Sequence, residues 1–318
     1  MPFLEELARF GPDSIERPSL DESKRYCARL TASHYENFQV VTWLTPKPLR
    51  PAFASVYSFC RWSDDLGDEV GDKALACELL SWWRDGLRRM YEGQASHPVY
   101  VALAETVREF AIPIEPFLDL ILAFKQDQVI SEYQTFEQLV DYCKRSADPV
   151  GRLVLYLGRC FTEVNAKLSD ATCTALQLTN FWQDVGRDLD IGRVYLPRDD
   201  RERFGYTDQD LNARRFNPQF AALMRFEVER TRLLFERGRA LVGRMPKDLA
   251  VDVELFERGG SAILGKIEAQ NYDVWKKRPT LSKWAKAGLL VRALSSRFRP
   301  AIDRSPLPLH DPALERVP

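Results

Sequence analysis

Apolar residues recur at three- and four-residue spacing through almost the whole of this chain. The blocks are long, and none settles into the strict alternation of a half-buried strand. A pattern of that period fits helices with one apolar face and little else. Prolines punctuate the blocks: Pro46, Pro48 and Pro51 precede one, Pro113 and Pro116 another, Pro149 sits inside Asp148-Pro149-Val150-Gly151, and Pro197 follows a third. Proline is tolerated in the first turn of a helix and breaks its interior, so these positions mark starts rather than middles. The expectation is an all-α chain. Five of the 19 prolines fall at or after Pro300, where periodicity is lost. One helical domain is therefore expected over residues 1–299, with a loosely ordered, proline-rich tail over 300–318.

Composition narrows the class further. With 318 residues and 45% hydrophobic content, the chain can bury a full-sized core. A net charge of -1 gives no electrostatic footprint for nucleic acid. No run of about 18 apolar residues is present, so no spanning helix is expected. The first ten residues carry Glu5 and Glu6 and lack a basic start followed by an apolar block, so no secretory signal is expected. Six cysteines, at 27, 60, 77, 143, 160 and 173, form no CxxC pair, and there are three histidines. That argues against a zinc site and for free thiols in a reducing cytoplasm.

Two acid clusters stand out against this background. The first is Asp64-Asp65-Leu66-Gly67-Asp68-Glu69, at the end of a block that Pro51 opens. On a helix with Asp64 at zero, Tyr57 lies at roughly 20°, Asp68 at roughly 40° and Arg61 at roughly 60°. Asp65 falls on the margin, at about 100°. Phe59, Trp62 and Leu66 occupy the other side. The preceding stretch looks buried, so four acids at its end would repel one another unless water or cations compensate.

The second cluster runs from Asn180 to Asp188, Asn-Phe-Trp-Gln-Asp-Val-Gly-Arg-Asp. With Asn180 at zero, Asp184 lies at roughly 40°, Gln177 at roughly 60° and Asp188 at roughly 80°. Leu178, Phe181, Trp182, Val185 and Leu189 fill an opposite arc. One stripe is thus made of amide and carboxylate oxygens. Exposed helical faces usually mix Lys with Glu, and this stripe holds no lysine. Mg²⁺ takes a few carboxylates and completes its shell with water and substrate phosphates. Arg61 adds a planar fork for the same phosphate oxygens. Downstream, Gly192 can end the helix, and Arg193 and Tyr195 either reach toward a phosphate or form an ordinary turn. The paired stripes point to Mg²⁺-dependent chemistry on a prenyl diphosphate.

At these residues the chain resembles the squalene/phytoene synthase family of head-to-head prenyl synthases, over roughly residues 25–290. Supporting marks are His34 to Phe38, Tyr57 with Cys60-Arg61, Tyr142-Cys143 before Asp148-Pro149-Val150-Gly151, and Gly192-Arg193-Val194-Tyr195-Leu196-Pro197. The stretches His34-Tyr35-Glu36-Asn37-Phe38, Cys60 to Asp65 and Leu178 to Asp184 are similar to the hydroxysqualene synthases of bacterial hopanoid pathways.

The resemblance implies a single-domain isoprenoid synthase helical bundle of the prenyltransferase type around a central cavity. It implies two or three Mg²⁺ ions, with Asp64, Asp65, Asp68, Asn180, Asp184 and Asp188 as metal ligands. Asp64, Asp68, Asp184, Asp188, Tyr57 and Arg61 are the implied catalytic residues. His34, Asn37, Phe38, Arg61, Tyr142, Gly151, Gln177, Arg187, Arg193 and Tyr195 are the implied substrate-binding residues. The implied reaction is that of presqualene diphosphate with water to give hydroxysqualene and diphosphate.

Two positions depart from the wider family: Gln183 where many members carry Arg, and Arg187 where many carry Glu. Losing an acid and gaining a base beside the metals puts the joining of two farnesyl diphosphates in doubt.

A cationic intermediate needs a dry, aromatic-lined cavity, each π face contributing roughly 0.5–2 kcal/mol. Phe38, Trp43, Phe59, Trp182 and Tyr272 are candidates for that lining. Asn37, Tyr133 and Tyr142 are candidates for placing the quenching water. No Gly-x-Gly-x-x-Gly follows a strand, so nothing argues for NADPH. The alternatives are squalene, presqualene diphosphate or phytoene formation by condensation of two prenyl diphosphates, and a non-catalytic helical assembly protein. Trp275-Lys276-Lys277-Arg278-Pro279 and Trp284 to Lys286 mix aromatics with bases. They read either as a patch for transient contact with the inner membrane surface or as a solvated helix end with packed tryptophans.

Overall fold

The computed structural model describes residues 3–33, 45–282, 285, 287–290 and 293. His34, Asn37, Phe38, Trp43, Trp284, Lys286 and the 300–318 tail lie outside the described residues. Thirteen α-helices and two short 3₁₀ turns make up the described fold, with no extended strand among the described residues. No described helix is long and apolar enough to cross a membrane. The chain groups into two compact units, residues 1–161 and residues from Thr162 onward.

The first unit holds α1 (Phe3–Phe10), α2 (Leu20–Ser33), α3 (Arg50–Asp68), α4 (Lys73–Tyr91), α5 (Pro98–Phe110), α6 (Glu115–Gln126), α7 (Phe136–Ser146) and α8 (Asp148–Leu157). The starts are written locally. Asp72 accepts from Leu75 N (2.8 Å) and caps α4. His97 Nδ1 accepts from Val99 N (3.2 Å) and caps α5, with Pro98 behind it. Such caps contribute about 1 kcal/mol each. Pro51, Pro116 and Pro149 all fall in the first turns of their helices.

The core of this unit is aromatic. Phe59, Trp62 and Leu66, the apolar side of α3, are at most 1% exposed. Trp62 stacks on Trp83 at 5.5 Å and donates its Nε1 hydrogen to the Tyr26 hydroxyl (2.9 Å). Trp83 donates in turn to Ser63 Oγ (2.9 Å). Both of these buried indoles have a partner, so their burial carries no polar penalty. These side chains fix the rotation of α3, and with it the direction of its acids.

The second unit holds α9 (Glu163–Asp190), α10 (Arg198–Arg203), α11 (Asp208–Asn212), α12 (Pro218–Gly238) and α13 (Lys247–Ala269). Thr162 caps α9, accepting from Asn165 N at 3.1 Å. Asn217, with Pro218 behind it, caps α12, accepting from Phe220 N at 2.8 Å. Leu178, Phe181, Trp182 and Val185 are buried, as the wheel requires. Trp182 Nε1 donates to Thr231 Oγ1 on α12 (2.8 Å). At Gly238 the end of α12 comes so close to α9 that a Cβ would stand 2.0 Å from Thr172 Oγ1. Arg230 of α12 is half-buried between Asp200 (2.7 Å) and Glu227, which accepts at 2.7 Å from both Nε and Nη2. Burial pushes the Glu227 carboxyl up to about 8, against the pull of Arg230. That network ties α10 to α12.

Candidate active site

The first acid cluster stands at the C-terminal end of α3, whose helix ends at Asp68. Arg61 gathers its acids: Nε donates to Asp65 Oδ2 (3.0 Å), Nη1 to Asp64 Oδ2 (3.3 Å) and Nη2 to Glu69 Oε1 (3.0 Å). Asp65, marginal on the wheel, is buried, while Asp64 is half-buried and Asp68 exposed. Burial pushes the Asp65 carboxyl up to about 7, with Arg61 opposing. Tyr57, one turn before Arg61, is half-buried, and burial raises its phenol. For three of the four clustered acids, Asp64, Asp65 and Glu69, a counter-ion is supplied by the arginine of their own helix.

The second cluster occupies one stripe near the end of α9. Asn180 is exposed; Gln177, Asp184 and Asp188 are half-buried. Arg278 sets its guanidinium fork on Asp184, with Nη2 to Oδ2 at 2.7 Å and Nε to Oδ1. Arg187 is largely exposed and stands 3.7 Å from Asp184. Burial first, and the Asp184 charge second, push the Asp188 carboxyl up to about 7, with Arg193 and Arg278 opposing. Asp188 Oδ2 is buried with no hydrogen-bond partner among the described residues. A carboxylate so placed gains from a cation. A cleft of about 10 Å³ beside it, lined by Arg193, Tyr195 and Phe181, has room for about one water.

Among the described residues no three His, Cys, Asp or Glu side chains converge to hold an ion on protein ligands alone. Mg²⁺ can be held by one or two carboxylates with water and phosphate oxygens completing its octahedron, and the buried, unpartnered Asp188 Oδ2 is a donor of that kind. The residues present fit such an ion.

Gly192 adopts φ +74 and ends the segment after α9. Tyr195 is buried with its ring stacked on Phe181 at 3.7 Å. Tyr142 is buried in the first unit, donating to Asp127 Oδ2 (2.9 Å) with its ring 5.6 Å from Tyr133. Gly151 lies in the first turns of α8. Phe59 and Trp182 are packed core residues, and Tyr272 is buried at φ +65. All six cysteines are free thiols.

Sequence reasoning missed Arg278. It lies in the aromatic–basic run read as a membrane patch or helix end, and it is 94 residues from Asp184. Its neighbours are pinned as well: the Gln183 side-chain amide donates to the Pro279 carbonyl, and Trp275 packs on Phe220 at 5.3 Å. Gln183 is buried and faces this segment rather than the carboxylate stripe.

An all-helical fold with two acid-striped helices of this kind defines an isoprenoid synthase. Residues 31–285 match the family model for squalene/phytoene synthase, and the chain belongs to that family, whose members act on prenyl diphosphates. The crystal structure of the squalene synthase HpnC from Alicyclobacillus acidocaldarius is 48% identical, with a TM-score of 0.77, covering 80% of this chain and 95% of that one. The 15-cis-phytoene synthase of Synechocystis sp. is 33% identical over 285 residues, 86% of this chain and 85% of that protein. A dehydrosqualene synthase structure, solved with a ligand, is 25% identical with a TM-score of 0.77, covering 87% of this chain and 97% of the other.

Proposed function

We propose that this chain is a hydroxysqualene synthase, converting presqualene diphosphate and water to hydroxysqualene and diphosphate. The observation that carries the reading is the second acid stripe. Where many family members place an arginine, this chain has Gln183, buried and bonded to Pro279 O. Where many place a glutamate, it has Arg187, exposed beside Asp184. Such a stripe offers fewer acids to metal than one built to condense two diphosphates. The stronger likeness to a squalene synthase, 48% against 33% for a phytoene synthase, supports a C30 substrate.

On α3, Asp64 and Asp68, and on α9, Asn180, Asp184 and Asp188, are the residues that would hold Mg²⁺; Asp65, tied up by Arg61, would support those of its own helix. The metal, when bound, neutralises charge on the departing diphosphate. Arg61 and Arg193 are the guanidinium donors that would share that charge, and Arg278 would join them on leaving Asp184. The bond from carbon to the diphosphate oxygen breaks with its electron pair going to oxygen. The cyclopropylcarbinyl cation rearranges, water forms the new C–O bond, and a proton leaves to solvent.

A second reading has one specific support. The 48% relative is described as a squalene synthase, which favours activity on farnesyl diphosphate as well. Gas chromatography with mass spectrometry separates the two. Purified protein with Mg²⁺ and no NADPH is given presqualene diphosphate or farnesyl diphosphate. Hydroxysqualene from the first and no product from the second is the expected result. Presqualene diphosphate formed from farnesyl diphosphate would overturn the proposal and place the chain among the condensing enzymes.

A further inference from the structure

The first unit contains a second cleft, built from residues outside both acid stripes. Its volume is about 270 Å³, near the lower end for small-molecule sites. The floor is aromatic: Phe10, Trp82 and His97. The rim is polar and basic: Arg17, Arg89 and Gln94. We propose that this cleft binds a small organic anion, a phosphate or carboxylate group carried on a flat apolar body.

Three features support the choice of charge. Glu16 is the one acid in the lining, and Arg9 takes both of its oxygens, at 2.9 and 3.1 Å. Arg17 spends only Nη1, on the Glu16 carbonyl (2.8 Å). Neither Arg17 nor Arg89 is ion-paired among the described residues. Two guanidinium groups at one mouth without carboxylate partners suit an anion.

The floor supports the apolar body. His97 is 5% exposed, and its Nε2 has no hydrogen-bond partner among the described residues. Its ring is edge-on to Phe10 at 5.8 Å and Trp82 at 6.1 Å. The backbone at the rim turns back on α4 at one point. Gly93, at φ +85, turns the chain so that Gln94 N donates back to Arg89 O (2.8 Å) at the end of α4.

The inference is independent of the reaction proposed above. The test uses the full chain in EDTA, which silences metal-dependent diphosphate binding. Phenyl phosphate, benzoate, phenol and inorganic phosphate are titrated by calorimetry, with tryptophan emission as a second readout, since Trp62, Trp82 and Trp83 all surround His97. Phenyl phosphate or benzoate should bind with a Kd near about 1 mM, and phenol and inorganic phosphate about tenfold more weakly. The double variant R17A/R89A should lose about tenfold in affinity for the anionic probes with an unchanged melting temperature. Trp82→Leu, which keeps the charges, should weaken the aromatic probes and leave inorganic phosphate unchanged. Absence of binding by both aromatic anions, or binding that R17A/R89A leaves intact, would overturn the proposal.

Discussion

Acid should unfold the first unit through one histidine. His97 is packed against Trp62, Trp82, Trp83, Phe10 and Tyr100 and is 5% exposed at the floor of the cleft, and burial lowers its imidazole to about 3 from an ordinary 6.5. The folded state therefore holds it neutral, while the unfolded chain takes up a proton as pH falls below 6.5. Stability is complete above that value and is lost as pH drops toward 3. Each pH unit in that window costs about 1.4 kcal/mol, so about 2 kcal/mol is gone at pH 5 and about 5 kcal/mol in full. Other groups titrate over the same range, so the assay is differential. Urea unfolding of wild type and H97N is followed by tryptophan emission at pH 7 and pH 5. Asparagine keeps an acceptor for the α5 cap but cannot titrate there. The wild type should be the more stable protein at pH 7, and its advantage should shrink by about 2 kcal/mol at pH 5. An advantage that stays constant across the two pH values would refute the reasoning, because it would show that the folded state does not hold the imidazole neutral at pH 5.

Four further outcomes are expected. Asp64→Ala and Asp184→Ala should each abolish turnover of presqualene diphosphate in product assays, with a folded circular dichroism spectrum; a normal rate in either would remove that residue from the metal site. Arg278→Ala should reduce kcat/KM about 10- to 100-fold, the value of one charge-assisted pairing, measured by diphosphate release. Mg²⁺ with a non-hydrolysable diphosphate analogue should raise the melting temperature of the wild type and not of Asp188→Asn. Gly238→Ala should cost about 1–3 kcal/mol in urea unfolding, since the added Cβ meets Thr172 Oγ1 at 2.0 Å.

Much of the local structure was written in the chain. The helix read from Pro51 to about Glu69 is Arg50–Asp68, and its apolar side is buried. The two-faced character of the Asn180–Asp188 stretch and the role of Gly192 after it were equally legible. These features depend on neighbours three and four residues away, which a helical wheel captures. Asp65 shows where the wheel stops: its angle was marginal, and packing around α3 decided for burial. Arg278 on Asp184 and Gln183 on Pro279 join residues about a hundred positions apart, and no spacing rule reaches across that distance. The 275–279 run looked like a surface feature because bases beside tryptophans are ambiguous by composition alone. Only the chain path shows that one of those bases serves an aspartate.

The second unit carries its packing and its chemistry on a single uninterrupted rod. Thr172 meets Gly238 near the middle of α9, Trp182 is bonded to Thr231 further on, and Asp184 and Asp188 follow within two turns. Inserting or deleting one residue between Thr172 and Trp182 would advance everything beyond it by about 1.5 Å and swing it about 100°. The acids would then leave their stripe, and the tryptophan would leave Thr231. Within that stretch, lineages of this protein can exchange residues but cannot change their number, so length variation should accumulate in the connections flanking α9 and be absent from the rod itself.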